Sequence, residues 1–327
     1  MGLAIKGTGR ALPARVESNE ELCAVLPDTT PEWIVEKTGI TARHLASEED
    51  SASGLSLAAA QDAVAAAGID PTEIGLVVAC TFTADYAFPP VSAKVAGELG
   101  CKGPMCFDVQ ANCAGFVTGL TVAADRLAAD PELGYALVIG VEMHTRFIDR
   151  ADVDTAIYFS DGAGAAILGP SDTGAALGSA FFTDPSNWEA VRLRAGGSEY
   201  PPGHPGLMNG AATIEQAGLA TWRQAITHLP TTVKRACAKA DVELADVDLI
   251  LFHQANRNLI SYLTRKMRIP EEKTFTNVER IGNTGAASVG IVLSEAVDEG
   301  LVTPGDTVVL AAVGAGFTFG ASVWRWG

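Results

Sequence analysis

The sequence predicts an α/β protein with strands buried on both faces. Apolar β-type runs alternate with Ala- and Leu-rich helical runs along the whole chain, the pattern of a sheet covered by helices. One helix-turn-strand unit also recurs about half a chain later. In order, strands are expected at Leu3 to Gly7, Leu76 to Cys80, Cys106 to Val109, Ala136 to Val141 and Ala163 to Leu168. A second set follows at Ala176 to Phe182, Leu249 to Phe252, Thr307 to Val313 and Ala321 to Trp324. Helices are expected at Leu55 to Ala67, Ala114 to Ala129, Leu219 to Ala240, Leu259 to Met267 and Ala287 to Glu299. The helix after Cys113 sets Phe116, Val117, Leu120, Ala124 and Leu127 on one stripe, and Asp130-Pro131 ends it.

The recurring unit is Asp70-Pro71-Thr72-Glu73-Ile74-Gly75-Leu76-Val77-Val78, echoed by Glu243-Leu244-Ala245-Asp246-Val247-Asp248-Leu249-Ile250-Leu251. Either helix-loop-strand units simply look alike, or the chain is a large internal duplication. Duplication would place the join near the turn-rich Gly169-Pro170-Ser171-Asp172-Thr173-Gly174, giving halves 1–170 and 171–327. Gly196 to Gly210, with three prolines and five glycines, reads as a long irregular loop.

The 327 residues, 48% hydrophobic, hold ample material for one duplicated core or two ordinary ones. Leu55 to Gly68 is helical in type but carries Gln61 and Asp62 and is too short to cross a bilayer, so no membrane span is expected. Met1 to Lys6 shows no basic segment leading into an apolar one, and Lys6 misses a myristoylation signal, so a cytoplasmic protein is expected. A formal net charge of −16 argues against a general nucleic-acid binder. Cys23, Cys80, Cys101, Cys106, Cys113 and Cys237 form no CxxC pair, so neither a disulfide framework nor a zinc site is expected.

Four segments carry chemistry. In Phe107-Asp108-Val109-Gln110-Ala111-Asn112-Cys113-Ala114-Gly115-Phe116 a strand ends, a tight turn follows, and Cys113 stands at a helix start. Unpaired N–H groups there favour thiolate, although most cysteines in such apolar surroundings are plain buried residues. Leu251-Phe252-His253-Gln254-Ala255-Asn256 ends a strand in a histidine, which taken alone is more often a satisfied structural residue. Gly282-Asn283-Thr284-Gly285-Ala286-Ala287-Ser288 lets a helix begin close to another backbone, where Asn283 alone would read as a cap. Val313-Gly314-Ala315-Gly316-Phe317-Thr318 is a glycine-rich turn able to aim N–H groups at an oxyanion.

The four segments in this order resemble the type III β-ketoacyl synthases, thiolase-like condensing enzymes. The resemblance extends to Trp33-Ile34 and Thr38-Gly39-Ile40, Ala87-Phe88-Pro89 and Asp161-Gly162-Ala163-Gly164-Ala165. It implies the five-layered αβαβα thiolase fold, two pseudo-symmetric halves and a homodimer. It assigns Cys113 as nucleophile with His253 and Asn283 as the other catalytic pair. An acyl thioester would load Cys113, with the N–H groups of Cys113 and Ala315 holding the oxyanion. A malonyl thioester would then lose CO2, and a neutral His253 and the Asn283 amide would donate to the enolate oxygen. Trp33, Phe88, Gly218, Trp222, Arg223 and Asn256 are the substrate-binding expectations. No metal or redox cofactor is implied. The partners are acyl-coenzyme A or acyl-carrier protein and a malonyl-carrier protein, with coenzyme A or phosphopantetheine thioesters as substrates.

The pattern departs from the family in places. Val153 stands where members carry an arginine that clasps coenzyme A with the tryptophan, and Lys37 replaces another arginine. Arg146 and Arg150 lie near enough in sequence to substitute, and a primer delivered on a carrier protein becomes an option. The channel stretch reads Gln216-Ala217-Gly218-Leu219-Ala220-Thr221-Trp222-Arg223, with Trp222 where the family has phenylalanine. An acyltransferase moving the acyl group from Cys113 to a non-malonyl nucleophile is the alternative function. A subunit that only shapes a partner's tunnel would lack the nucleophile, and a cysteine hydrolase elbow would want glycine where Ala111 stands.

Overall fold

The computed structural model describes residues 2–205 and 212–327. In chain order it begins β1 (Gly2–Ala11), β2 (Arg15–Ser18), α1 (Asn19–Cys23), α2 (Pro31–Thr38), β3 (Ala42–Leu45) and α3 (Ala52–Ala67). It continues β4 (Ile74–Cys80), α4 (Val91–Leu99), β5 (Met105–Val109), α5 (Gly115–Ala129), β6 (Tyr135–Met143), α6 (Val153–Ala156) and β7 (Asp161–Ser171). Then come β8 (Ala175–Thr183), β9 (Val191–Leu193), β10 (Ile214–Gln216), α7 (Gly218–Lys239) and β11 (Leu249–Phe252). The chain closes with α8 (Arg257–Met267), α9 (Val278–Ile281), α10 (Ala287–Asp298), β12 (Thr307–Gly314) and β13 (Thr318–Arg325).

Two main sheets form, ordered β1-β7-β6-β4-β5 and β11-β12-β13-β8. Their strands are apolar on both faces because both faces are covered. On β4, Leu76, Val78 and Cys80 face the central helices α5 and α10, while Ile74, Val77 and Ala79 face α3 and α4. On β12, Val308, Leu310 and Ala312 face that same central layer, and Val309, Ala311 and Val313 face α7 and α8. The result is helix, sheet, helix, sheet, helix. Each fully buried Val or Leu in these strands contributes about 2 kcal/mol of transfer free energy. Sequence periodicity thus passes directly into layering.

The second sheet repeats the first. β4 pairs parallel with β6, and β6 antiparallel with β7, which is antiparallel to β1. Likewise β11 pairs parallel with β12, β12 antiparallel with β13, and β13 antiparallel with β8. The counterpart of β5 shrinks to one parallel bridge, Ile250 with Thr274. The two echoing segments are the short helical turns Pro71–Glu73 and Leu244–Asp246 with the strands they feed. Gly140 and Gly164 lie opposite each other in the first sheet and make the notch for α10. A Cβ at Gly140 would sit 2.4 Å from the Ala286 oxygen, and one at Gly164 2.5 Å from the Ile291 nitrogen.

Some boundaries differ from expectation. Gly169, Pro170 and Ser171 are strand, paired with Ala4, Leu3 and Gly2, so only Asp172 to Gly174 joins the sheets. Pro170 is tolerated because β6 ends opposite Leu168, leaving no ladder partner on that side. Helix α2 was not expected. It forms because the Thr30 side chain accepts from the Trp33 N–H, Pro31 opens the first turn, and Gly39 ends it at φ 74°. Of the expected loop, residues 196–205 are turns and bends, and residues 206–210 lie outside the described residues.

Candidate active site

Cys113, His253 and Asn283, far apart in sequence, line one cavity of about 1040 Å³. They gather there because strand ends and helix starts converge: Cys113 follows β5, His253 follows β11, and Asn283 precedes α10. Asn112 takes φ 49°, a left-handed position that asparagine tolerates, and this turns the chain so that Cys113 meets the cavity. The Asn112 amide donates to the Ala315 carbonyl at 3.1 Å, tying the cysteine turn to the glycine-rich one. Gly314 permits this approach, since a Cβ there would lie 2.4 Å from the Ala111 oxygen and 3.1 Å from the Cys113 nitrogen.

His253 is held at both ends. Its N–H donates to the Ala311 carbonyl at 2.8 Å, and its ring Nδ1 lies 2.6 Å from the Ser288 hydroxyl. Burial, with His144 adding a smaller push, lowers its pKa to about 3, so the ring is neutral at physiological pH. A hydroxyl both donates and accepts, so Ser288 supports either neutral tautomer and leaves Nε2 for the cavity. The Asn283 backbone is fixed by exchange with Tyr158 and Ser160, each bond 2.9 Å. Its side-chain oxygen accepts from the Gly285 N–H at 2.9 Å, which leaves the amide NH2 as the outward donor.

The helix start does not make Cys113 a resting thiolate. Cys113 lies in a short turn, Asn112–Ala114, one residue ahead of α5. Enclosure by protein atoms, then the nearby Glu142, push its thiol up to about 12. Desolvation outweighs the helix end. Glu142 is itself buried, accepts from the Thr83 hydroxyl at 2.7 Å, and is raised by burial to about 8.

Of the remaining expected residues, Phe88, Gly218, Trp222, Asn256 and Ala315 line the cavity. Trp33 and Arg223 do not; both are exposed, and Lys37 sits 5.9 Å over the Trp33 ring. Asn256 is committed locally: its oxygen caps α8 through the Asn258 and Leu259 N–H groups. Arg146 and Arg150 do not substitute for an arginine at 153. Arg146 donates to the Ser47 and Asp50 carbonyls, and Arg150 pairs with the buried Glu17. Sequence reading missed His144, Ser288 and Arg192. His144 and Arg192 line the cavity, and His144 ends β6 much as His253 ends β11. That likeness was the available signal.

A thiol that shares its cavity with a neutral imidazole and a carboxamide suits acyl transfer through sulfur, where charge develops on oxygen. Such chemistry at the strand ends of two like sheets is that of the thiolase-fold condensing enzymes. Family models agree: 3-oxoacyl-[acyl-carrier-protein] synthase III matches residues 107–185, and its C-terminal model matches 237–326. The chain belongs to the β-ketoacyl-[acyl-carrier-protein] synthase III family and is an acyl-transferring enzyme of that type. It is 40% identical over 327 residues to the β-ketoacyl-[acyl-carrier-protein] synthase III of Erythrobacter litoralis, covering 99% of each chain. The solved 3-oxoacyl-[acyl-carrier-protein] synthase III of Aquifex aeolicus superposes with TM-score 0.91 at 33% identity, over 99% of this chain and 100% of that one. The priming β-ketosynthase of the R1128 polyketide pathway gives TM-score 0.92 at 30% identity, over 99% and 96%. No described helix is long and apolar enough to cross a membrane.

Proposed function

We propose that Cys113 carries the acyl starter, and that His253 and Asn283 stabilise the enolate of a malonyl thioester in a decarboxylative Claisen condensation that primes fatty-acid or polyketide synthesis. The observation that carries this division is the pair of neutral donors, a buried imidazole and a carboxamide oriented by the Gly285 N–H, on the wall that Cys113 shares. In loading, the Cys113 sulfur attacks the thioester carbonyl while its proton passes to the bare Nε2 of His253. That proton then goes to the departing pantetheine thiolate. The N–H groups of Cys113 and Ala315 hold the oxyanion meanwhile. For condensation His253 takes its other neutral tautomer, proton exchange with solvent moving the hydrogen from Nδ1 to Nε2 while Nδ1 accepts from the Ser288 hydroxyl. The malonyl group then loses CO2, and its enolate oxygen takes hydrogen bonds from Nε2–H of His253 and the Asn283 amide. The carbon attacks the acyl-enzyme carbonyl, the C–S bond breaks to release the β-ketoacyl thioester, and the Cys113 thiolate takes a proton from solvent to restore the thiol. Each step balances without a redox cofactor.

The duplicated units on this reading are the two halves expected from the sequence, with their join at Asp172 to Gly174 rather than at 170/171, supported by the repeated strand order. Val153 at the start of α6, and the engagement of Arg146 and Arg150 elsewhere, favour a primer delivered on a carrier protein over tight coenzyme A binding. A homodimer is supported by β5 standing at its sheet edge and by Phe88, a large apolar side chain 85% exposed. Incubation with acyl and malonyl thioesters tests the function. CO2 release with a β-keto product supports condensation, whereas acyl transfer without CO2 would replace it with the non-decarboxylative reaction.

A further inference from the structure

His144 is 1% exposed, lines the same cavity, and takes no part in the chemistry above. Its ring stacks on Phe159 at 4.6 Å between centroids and lies 5.4 Å from Phe82. It also lies against the backbone just past Asn283, since a Cβ at Gly285 would come within 2.3 Å of the ring. Ring Nδ1 is 3.2 Å from the Ser160 carbonyl. A carbonyl only accepts, so Nδ1 carries the hydrogen and, in the neutral ring, Nε2 is an acceptor. Burial drives the pKa down to about 4, which keeps the ring neutral. No hydrogen bond to Nε2 exists among the described residues. An acceptor flanked by Phe82 and Phe159 thus belongs to the wall of the cavity that Cys113 also lines.

We propose that His144 is a specificity-determining residue, whose Nε2 accepts a hydrogen bond from a hydroxyl on the acyl starter, so that the enzyme selects hydroxyacyl over plain alkanoyl thioesters. This rests on the reading of Cys113 as the acyl-bearing nucleophile. A plain alkyl chain would desolvate Nε2 and leave the acceptor unpaired, which is costly in a dry site. A carboxylate would meet an acceptor rather than a donor. An ammonium group would lose its hydration among phenyl rings. An amide would bring a second polar atom for which Phe82 and Phe159 provide no donor. A hydroxyl supplies the one hydrogen required.

The test compares loading of Cys113 by matched thioesters, unsubstituted or hydroxylated at carbon 2, 3 or 4, followed by intact-protein mass spectrometry. Wild type should load at least one hydroxylated chain with kcat/KM about tenfold or more above its unsubstituted match. His144→Leu should erase or invert that ratio, and His144→Gln, which keeps an acceptor near the Nε2 position, should retain part of it. Equal loading across all three pairs, or an unchanged ratio in His144→Leu, overturns the role of His144 while leaving the acyl-enzyme intact. Failure of every thioester to label Cys113 overturns both. Should the leucine variant not fold, the wild-type ratio and the glutamine variant decide.

Discussion

Replacing Asn283 would separate the structural role of its side-chain oxygen from the enolate-binding role proposed for its NH2. The oxygen accepts from the Gly285 N–H at 2.9 Å and shapes the turn before α10; the NH2 is the donor left for substrate. Asn283→Ala removes both and leaves a buried N–H unpaired, at about 1–3 kcal/mol of stability. Asn283→Asp keeps the acceptor for Gly285 and the side-chain volume but turns the donor into an acceptor. Loss of one such donor lowers turnover by about 10²–10³, or about 2.7–4 kcal/mol in the barrier. Decarboxylation of a malonyl thioester by Asn283→Asp should therefore fall by at least that factor, since the new carboxylate also repels the enolate. Acyl adduct formation on Cys113, measured by intact mass, should stay within about threefold. The assays are CO2 release and mass spectrometry on the same preparations, with thermal unfolding to confirm the fold. Decarboxylation near the wild-type rate in Asn283→Asp would refute the enolate assignment, and equal loss of adduct and decarboxylation would contradict the division of roles.

Other outcomes follow from the same geometry. With the Cys113 thiol raised to about 12, its alkylation by iodoacetamide should climb about tenfold per pH unit from roughly pH 7 to 10. A plateau near neutrality would show a stabilised thiolate instead. Cys113→Ala should abolish the acyl adduct, and an adduct that persists on another residue would move the nucleophile. His144 titrates at about 4 folded against 6.5 unfolded, so the unfolded chain takes up its proton first as pH falls. Its contribution is whole above pH 6.5 and declines toward pH 4, by about 2 kcal/mol at pH 5. Denaturant unfolding of His144→Leu should lose that much less stability between those pH values than wild type, and an identical loss would place the acid sensitivity elsewhere. Trp222 lines the cavity and packs edge-on against Tyr262 at 5.7 Å. Trp222→Phe should widen acyl-chain tolerance, and an unchanged substrate profile would remove it from the channel wall.

Much of the architecture was legible because it is local. Strands such as Leu249–Phe252 are apolar at every position, and the stripe Phe116, Val117, Leu120, Ala124 and Leu127 is buried as its spacing requires. The strand ends were less legible. Thr8, Gly9 and Arg10 look turn-like in sequence, yet β1 runs on to Ala11 because β7 supplies ladder partners that far. Short α2 and α4 escaped notice, each being about two turns long with a mixed face. Among the described site residues, Cys113, His253 and Asn283 stood out because each sits at a break in pattern, between an apolar run and small residues. His144 occupies a similar break but was passed over. What it does depends on Ser160, Phe82 and Phe159, which no spacing connects to it.

By itself the sequence determined the layered α/β plan, since apolar periodicity selects strand or helix wherever it is written. It also determined which chemistry the chain carries, through the residue types set at its strand ends. Only the tertiary structure decided the state of those groups. Whether a thiol ionises, a histidine is neutral or an arginine is free depends on burial and on partners more than a hundred residues away. Enclosure raised the Cys113 thiol, lowered both histidines, and tied Arg150 to Glu17. Desolvation is a property of the packed volume around a group, and no stretch of chain contains it.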